Sequence, residues 1–393
     1  EIWCHRTRDR GGVTGSRDVQ IIPADGKKEF RQFLDLPYRI YASDPNWVAP
    51  LLRDMKVMFD PEKHPFHKHS EVQPFIAVRD GETVGRIAAI HNRNHVAYHD
   101  ESVGFFGFFE CVDEQKVANA LLVTAKEWLR DRGLEVIRGP ANFSTNESAA
   151  LLVEGFDRPP TIMMPYNPEY YEDLIVNAGF HAAMDLVAYY LDNSIPPDFL
   201  LKREERLAKR LNVSLRTLRK EDFAAELDRV LAVYNKAWEK NWGFVPMTDE
   251  EIRFMAHELK VAVMRDPEQV IFVENSEGVP VGFALWLKDY NQGLIKARGR
   301  LFPFGLLKVL RKAKSIDMCR VLTLGLIPEY RGKGIDSLLF LRIFREGAAK
   351  GMTRGEFGWI LEHNYPMRKP LERLGSHVYK RYRMYDMDIE PGV

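Results

Sequence analysis

The sequence predicts an α/β protein with a mixed sheet of the α+β kind, built as two domains in tandem with the first a degenerate copy of the second. Three observations predict this. One order of elements (hairpin, strand, helix, strand, helix, strand) occurs twice along the 393 residues, and recurrence in a fixed order marks a duplicated unit. The length suits two domains at about 100–200 residues each. A glycine-rich turn joins a β-rich run to an amphipathic helix in the second copy and is missing from the first.

Residues 1–18 are Arg- and Gly-rich and lack the apolar run of a secretory signal. They are expected to be a disordered leader, or an artefact of where the sequence was started. The first domain is expected over 19–192. It reads as a helix at 28–41, a hairpin of 74–78 and 83–90 around Asp80-Gly81, and an aromatic strand at 103–111. Asp-Gly between alternating apolar residues is a strong hairpin signal. A helix at 114–132 stops at Gly133. A strand at 135–138, a long loop, a helix at 168–177 and a strand at 184–191 complete it. Residues 193–214 are expected to link the halves, with Asn193-Ser194-Ile195-Pro196-Pro197 at the boundary. The second domain is expected over 215–393. It reads as helices at 221–240 and 249–264, hairpin strands at 269–273 and 280–289, a strand at 319–326, a helix at 334–350, a strand at 356–361, a helix at 365–374 and a strand at 378–386.

Composition narrows the function. Lys and Arg number 56, as do Asp and Glu, so the basic excess of a general nucleic-acid binder is absent and no nucleic-acid partner is expected. Cys4, Cys111 and Cys319 lie far apart and form no C-x-x-C pair, which suits a reducing, cytoplasmic setting. No apolar run approaches the ~18–20 residues of a spanning helix. His64, His67 and His69 share one loop, and His91, His95 and His99 are spaced by four. Neither set has a companion Cys or a convincing carboxylate, so no metal is expected.

Residues 321–340, VLTLGLIPEYRGKGIDSLLF, carry the chemistry. Glycines in a tight strand-to-helix turn expose consecutive N–H groups, and the helix N-terminus adds about half a positive charge. A diphosphate suits such a nest. The spacing is neither that of a P-loop nor that of a dinucleotide-binding strand-turn-helix.

Arg331-Gly332-Lys333-Gly334-Ile335 resembles the Q/R-x-x-G-x-G/A turn of the GNAT superfamily of acyl-CoA N-acyltransferases, with Asp336 standing where that family prefers Gly or Ala. The resemblance spans about 215–386. It implies that acetyl-CoA or a longer acyl-CoA is the donor, that the amides of Gly332 to Asp336 hold its diphosphate, and that Leu324, Gly325 and Leu326 line the pantetheine arm beside a splayed pair of strands. An amide near Leu324 would stabilise the oxyanion of acyl transfer. Beyond this turn, Trp359-Ile360-Leu361-Glu362-His363-Asn364 ends a strand. An attacking amine must lose a proton, so Glu362 is the first candidate base and His363 the second. Asn364 resembles the family's CoA-contacting Asn, and Met367 follows it. Where many members carry a Tyr as general acid, this sequence has Leu371.

The first copy reads Cys111-Val112-Asp113-Glu114-Gln115-Lys116 where the turn belongs. It has no glycine and two carboxylates, which oppose a phosphate. Asn142, Ser144, Asn146 and Glu147 in the loop after 138 could line an acceptor pocket or satisfy that loop's own backbone. Residues 294–316 hold seven basic residues and no acidic one, interleaved with Leu and Phe. They could lie on an anionic membrane, at the inner membrane surface, or form a basic face on a packed helix.

Across its length the chain also resembles a family of bacterial tandem-GNAT proteins, through Asp44-Pro45-Asn46-Trp47-Val48-Ala49-Pro50, Gly104 to Glu110, Gly139 to Ser144 and Trp359 to Asn364. Some relatives are linked to ceramide synthesis. That resemblance implies acyl transfer to an amine-bearing small molecule or to a lipid such as a sphingoid amine. A non-catalytic CoA-binding sensor or scaffold on the same fold is the competing expectation.

Overall fold

The computed structural model describes residues 18–192 and 198–390. Residues 1–17 of the expected leader, with Cys4, and residues 193–197 of the expected link lie outside the described residues.

The first half comprises β1 (Gln20–Pro23), α1 (Lys27–Ile40), α2 (Leu52–Met58), β2 (Ser70–Arg79), β3 (Glu82–Asn92), α3 (Arg93–His99), β4 (Val103–Cys111), α4 (Gln115–Arg130), β5 (Val136–Gly139), β6 (Ala141–Asn142), β7 (Ser148–Ala149), β8 (Leu151–Glu154), α5 (Tyr171–Asn177) and β9 (His181–Asp192). The second comprises α6 (Asp198–Leu211), β10 (Val213–Thr217), α7 (Phe223–Trp238), α8 (Asp249–Arg265), β11 (Val270–Asn275), β12 (Pro280–Lys288), α9 (Asn291–Leu294), α10 (Gly305–Ala313), β13 (Met318–Leu326), α11 (Ile335–Ala349), β14 (Arg354–Leu361), α12 (Tyr365–Arg373) and β15 (His377–Asp388).

Local chemistry sets these boundaries. Asp80 and Gly81 both take positive φ between β2 and β3, as a primed hairpin turn requires. Thr248 and Glu251 form a reciprocal capping box at the start of α8, which satisfies amides that the first turn leaves open. Residues 198–211, inside the stretch expected to link the halves, form the basic helix α6, and its partly buried Leu207 and Leu211 pack on the second core.

One mixed sheet holds nearly every strand, in the order β1-β2-β3-β4-β5-β15-β9-β14-β13-β12-β11-β10, with β8 also paired to β15. Only β4–β5 and β13–β14 run parallel; the other neighbours in this order are antiparallel. The order is close to a palindrome with an exchange at its centre. β9, the last strand of the first half, pairs with β14 of the second. β15, the last strand of the second half, pairs with β5 of the first. The two exchanged strands pair with each other from His377–Tyr190 to Asp386–His181. One core packs α4 and α5 on the first half of the sheet, around Phe106, Leu121, Leu129 and Ile175. A second packs α11 on the other half, around Trp286, Leu338, Phe340 and Phe357. Among the described residues, no helix is long and apolar enough to cross a membrane.

Candidate active site

The parallel pairing of β13 with β14 runs from Met318–Arg354 to Val321–Phe357 and stops there. β14 leaves because it follows its other neighbour. Its register with β9 shifts between Phe357 and Ile360, then continues as Ile360–Val187 and Leu361–Leu186. A bulge of this kind bends the strand that carries it. Among the described residues, Thr323 to Leu326 therefore keep β12 on one side and pair with no strand on the other. Ile327 N–H donates to Val281 O on β12. The alternation of a strand turns the backbone groups of Leu326 and Leu324 to the opposite edge, the one β14 has vacated.

The glycine turn lies at the end of this open edge. Gly332 and Gly334 have φ of 69° and 86°, a region where a side chain is strained and glycine is not. A Cβ at either would meet nothing within 4 Å. Among the described residues the amides of Gly332, Lys333 and Gly334 donate to no protein acceptor. α11 begins at Ile335, which is buried, and Asp336 stands half-buried in its first turn. The Arg331 guanidinium points back into the protein, where it donates to Leu326 O at 3.0 Å and to Ala237 O. Lys333 lies over the Tyr330 ring. The turn thus offers backbone amides more than side-chain charge, and its open space fits a diphosphate group.

α7 closes one wall. A Cβ on Gly325 would stand 2.2 Å from the Trp238 ring, so glycine there lets the indole lie against β13. Trp238 stacks on Tyr234 at 4.7 Å between ring centres, and the Tyr234 hydroxyl donates to Asn146 Oδ1 at 3.0 Å. The first-half loop is thereby brought to the helix that covers the slot strand. Its polar groups are engaged. Asn146 Nδ2 donates to Val245 O, Thr145 Oγ1 to Gly243 O, and Ser144 Oγ accepts from the Asn146 amide. Glu147 accepts from the Phe143 amide and lies 3.2 Å from His64 Nε2. Asn142 Oδ1 accepts from the Phe108 amide at 2.6 Å. In this arrangement the four side chains brace the loop.

Just after β14, Glu362 is partly exposed, and its Oε1 accepts from Arg381 at 2.5 Å. Arg381 also reaches Asp185 and Glu154 at 3.3 Å each. His363 is exposed. Asn364 precedes α12, and its carbonyl accepts from the Met367 and Arg368 amides. Met367 packs on the second core. Leu371 is fully buried.

Behind the point of divergence lies a buried polar cluster that sequence reasoning missed. Arg320 donates twice to Gly358 O, at 3.2 and 2.8 Å, and to Ile162 O at 2.6 Å. Glu356, opposite Arg320 in the register, accepts from Thr161 at 2.6 Å and from Tyr379. Its Oε1 lies 3.5 Å from Arg320 Nε. The Gly358 carbonyl is thus fixed at the bulge where β14 departs. A charge inside each of two apolar strands, MCRVLTLGL and RGEFGWIL, was the available signal. Nearby Asp289 accepts from the Ile162 and Asn291 amides. Burial, then the Glu356 charge, push its carboxyl up to about 7. A carboxyl raised in the fold holds a proton there that the unfolded chain has already lost. Its stabilising effect is full below pH 3.8 and fades as pH rises to about 7. Asp289→Asn keeps the acceptor oxygen and removes this titration. The unfolding free energy of the native chain, from urea titrations, is expected to fall by about 2–3 kcal/mol more between pH 5 and pH 8 than that of the variant.

The first half shows the same geometry filled in. β4 pairs with β5 only from Val103–Val136 to Phe105–Arg138. The gap beyond is occupied by the chain's own residues 140–143. A Cβ on Gly107 would stand 1.9 Å from Ala141 O. Phe143, fully buried, stacks on Phe66 at 5.0 Å and meets Phe59 and Phe108 at 5.3 Å. At the start of α4, Glu114 is held by Arg79 at 2.8 Å. Among the described residues no group of three or more His, Cys, Asp or Glu could hold a metal. His69 lies 3.0 Å from Glu251, and His99 Nε2 lies 2.8 Å from Phe244 O. Cys111 and Cys319 are buried, and burial pushes both thiols up to about 12.

A parallel strand pair that splays beside a glycine turn, within a mixed sheet, is the architecture of GCN5-related N-acetyltransferases, and solved structures of that class share this fold. A tandem GNAT protein from the clavulanic acid biosynthesis pathway superposes with a TM-score of 0.56 at 15% identity, covering 96% of this chain and all of that one. A GCN5-related glucosamine N-acetyltransferase region of a fungal multi-domain GH3 β-N-acetylglucosaminidase superposes with a TM-score of 0.57 at 11% identity, covering 95% of this chain and 38% of that one. No family model matches the chain. Within that class the chain belongs to the family of Protein YghO of Escherichia coli and the bacterial ceramide synthase of Caulobacter vibrioides. It is 33% identical to the first over 372 residues, 92% of this chain and 94% of the relative. It is 32% identical to the second over 376 residues, 94% and 97% respectively.

Proposed function

We propose that this protein moves an acyl group from coenzyme A to an amine. The observation that carries the reading is the open edge of β13 leading to a turn with unspent amides. In this reading the amides of Gly332 to Asp336 hold the diphosphate, and Leu324 to Leu326 and Asn364, with Met367 beside it, hold the pantetheine arm. The amine attacks the thioester carbon, the C–S bond breaks, and the Leu324 N–H receives the negative charge that develops on oxygen. Glu362 or His363 takes the amine proton directly or through water, and the thiolate leaves with the electron pair.

A long-chain acyl group and a lipid amine are favoured over acetyl transfer to a small amine. The support is the name of the Caulobacter relative, which shares a third of its residues over nearly the whole chain, and the aromatic wall of Trp238 and Tyr234 beside the slot. Thiol release from acetyl- to palmitoyl-CoA, each offered small amines and sphingoid bases, tests both readings. Turnover with some pair is expected, rising with chain length. Absence of turnover with every pair, with CoA binding retained, would make the protein a sensor or scaffold instead.

Glu362→Gln leaves Arg381 its other carboxylates and should preserve the fold. The expected result is a fall of about 10²–10⁴ in kcat with unchanged CoA affinity. An unchanged kcat would pass the role to His363.

A further inference from the structure

Between β12 and β13 the chain makes a long excursion through α9 and α10. Its inner side is fixed. Gly299 O accepts from the Leu52 amide at 3.3 Å, and Asn291 Nδ2 donates to Pro160 O at 2.9 Å. A Cβ on Gly299 would stand 2.4 Å from the Tyr38 hydroxyl. The excursion therefore sits as a firm element on the first half.

Its outer side is apolar and basic together. Phe302 is 85% exposed, Phe304 67%, Leu307 59%, Leu310 51% and Leu306 43%. Leu306, Leu307 and Leu310 share the outward side of α10 through their three- and four-residue spacings, while Gly305 is buried beneath. Contiguous exposed apolar groups of this kind mark an interaction surface. Seven cations, from Lys296 to Lys314, surround them, and no acidic residue lies between 294 and 316. Among the described residues none of the seven pairs with a carboxylate. The flanking acids are committed elsewhere, Asp289 to two amides and Asp317 to Arg354 and Gln292.

We propose that this face docks the protein on an anionic lipid bilayer, with the two phenylalanines and three leucines entering the headgroup boundary and the cations meeting lipid phosphates. Charge complementarity selects this occupant. A second copy docking face to face would oppose seven cations with seven more, and the segment itself carries no acidic residue to offset them. A nucleic acid would satisfy the cations but leave three leucines without a partner. An anionic bilayer takes both, since apolar burial and surface potential act together on such a helix. The inference is independent of acyl transfer, and CoA affinity reports on that reading separately.

The test is flotation of the full chain with vesicles of phosphatidylcholine alone and of phosphatidylcholine with phosphatidylglycerol. Flotation with the anionic vesicles only, reversed by salt, is expected. Two paired variants, Phe302→Ser with Phe304→Ser and Lys308→Gln with Arg311→Gln, alter exposed side chains and should keep the native melting temperature and CoA affinity. Each pair is expected to weaken partitioning by about tenfold or more. Failure to float with anionic vesicles, or equal flotation of wild type and both variants, would overturn the proposal. So would a dimer in sedimentation equilibrium that the phenylalanine pair abolishes, since a second copy would then own the face.

Discussion

Replacing Gly334 by glutamate is expected to weaken coenzyme A binding by about a hundredfold or more in titration calorimetry. Two effects add. Gly334 holds a φ of 86° at the residue before α11, where an L side chain costs about 1–2 kcal/mol. A carboxylate there also sets a negative charge where a diphosphate would lie, at the positive end of the helix. The strain lowers affinity to the extent that the turn shifts to relieve it and loses its amide geometry, and with the charge repulsion it approaches the ~2.7 kcal/mol that a hundredfold represents. Gly334→Asn separates them, because Asn tolerates this conformation and adds no charge. The asparagine variant should lose far less affinity. Unchanged affinity in the glutamate variant would remove the turn from the donor site.

Phe143→Ala is expected to cost about 3–5 kcal/mol in urea unfolding, the usual price of a fully buried aromatic. Phe143 touches Phe59, Phe66 and Phe108 and lies 5.7 Å from the His64 ring, so the surrounding rings cannot all close on the void. CoA affinity should stay near native, because the glycine turn belongs to the other half. A loss under 1 kcal/mol would mean that the cluster collapses around the gap, and that residues 140–143 do not wedge the strands apart.

Much of this fold was legible in the sequence because its signals are local. The run VGFFGFFEC marks β4 at both ends, Gly133 stops α4 region as expected, and Asp80-Gly81 fixes the hairpin of β2 and β3. The glycine turn was legible for the same reason, as a strand, glycines and a helix in direct succession. What escaped was long-range. Nothing within β9 or β15 states that each will pair inside the other half's sheet, since strand pairing is set by partners far away in sequence. Arg320 and Glu356 could be seen as charges in apolar strands, but their pairing with each other beside the Gly358 carbonyl, which Arg320 alone holds, depends on the register of β13 with β14. The first-half loop shows the limit differently. Asn142, Ser144, Asn146 and Glu147 read equally as pocket lining or as loop bracing, and the contacts of Asn142, Asn146 and Glu147 with Phe108, Tyr234, Val245 and His64 are long-range, with no local signal.

The crossing of β9 and β15 bears on why a half with its cleft already filled persists at all. The edge of β13 opens because β14 bends to keep company with β9, a strand lent by the opposite half. Without that loan β14 would have a free edge and no reason to part from β13. The two halves are therefore structurally interdependent, and neither half of the sheet is complete without a strand of the other.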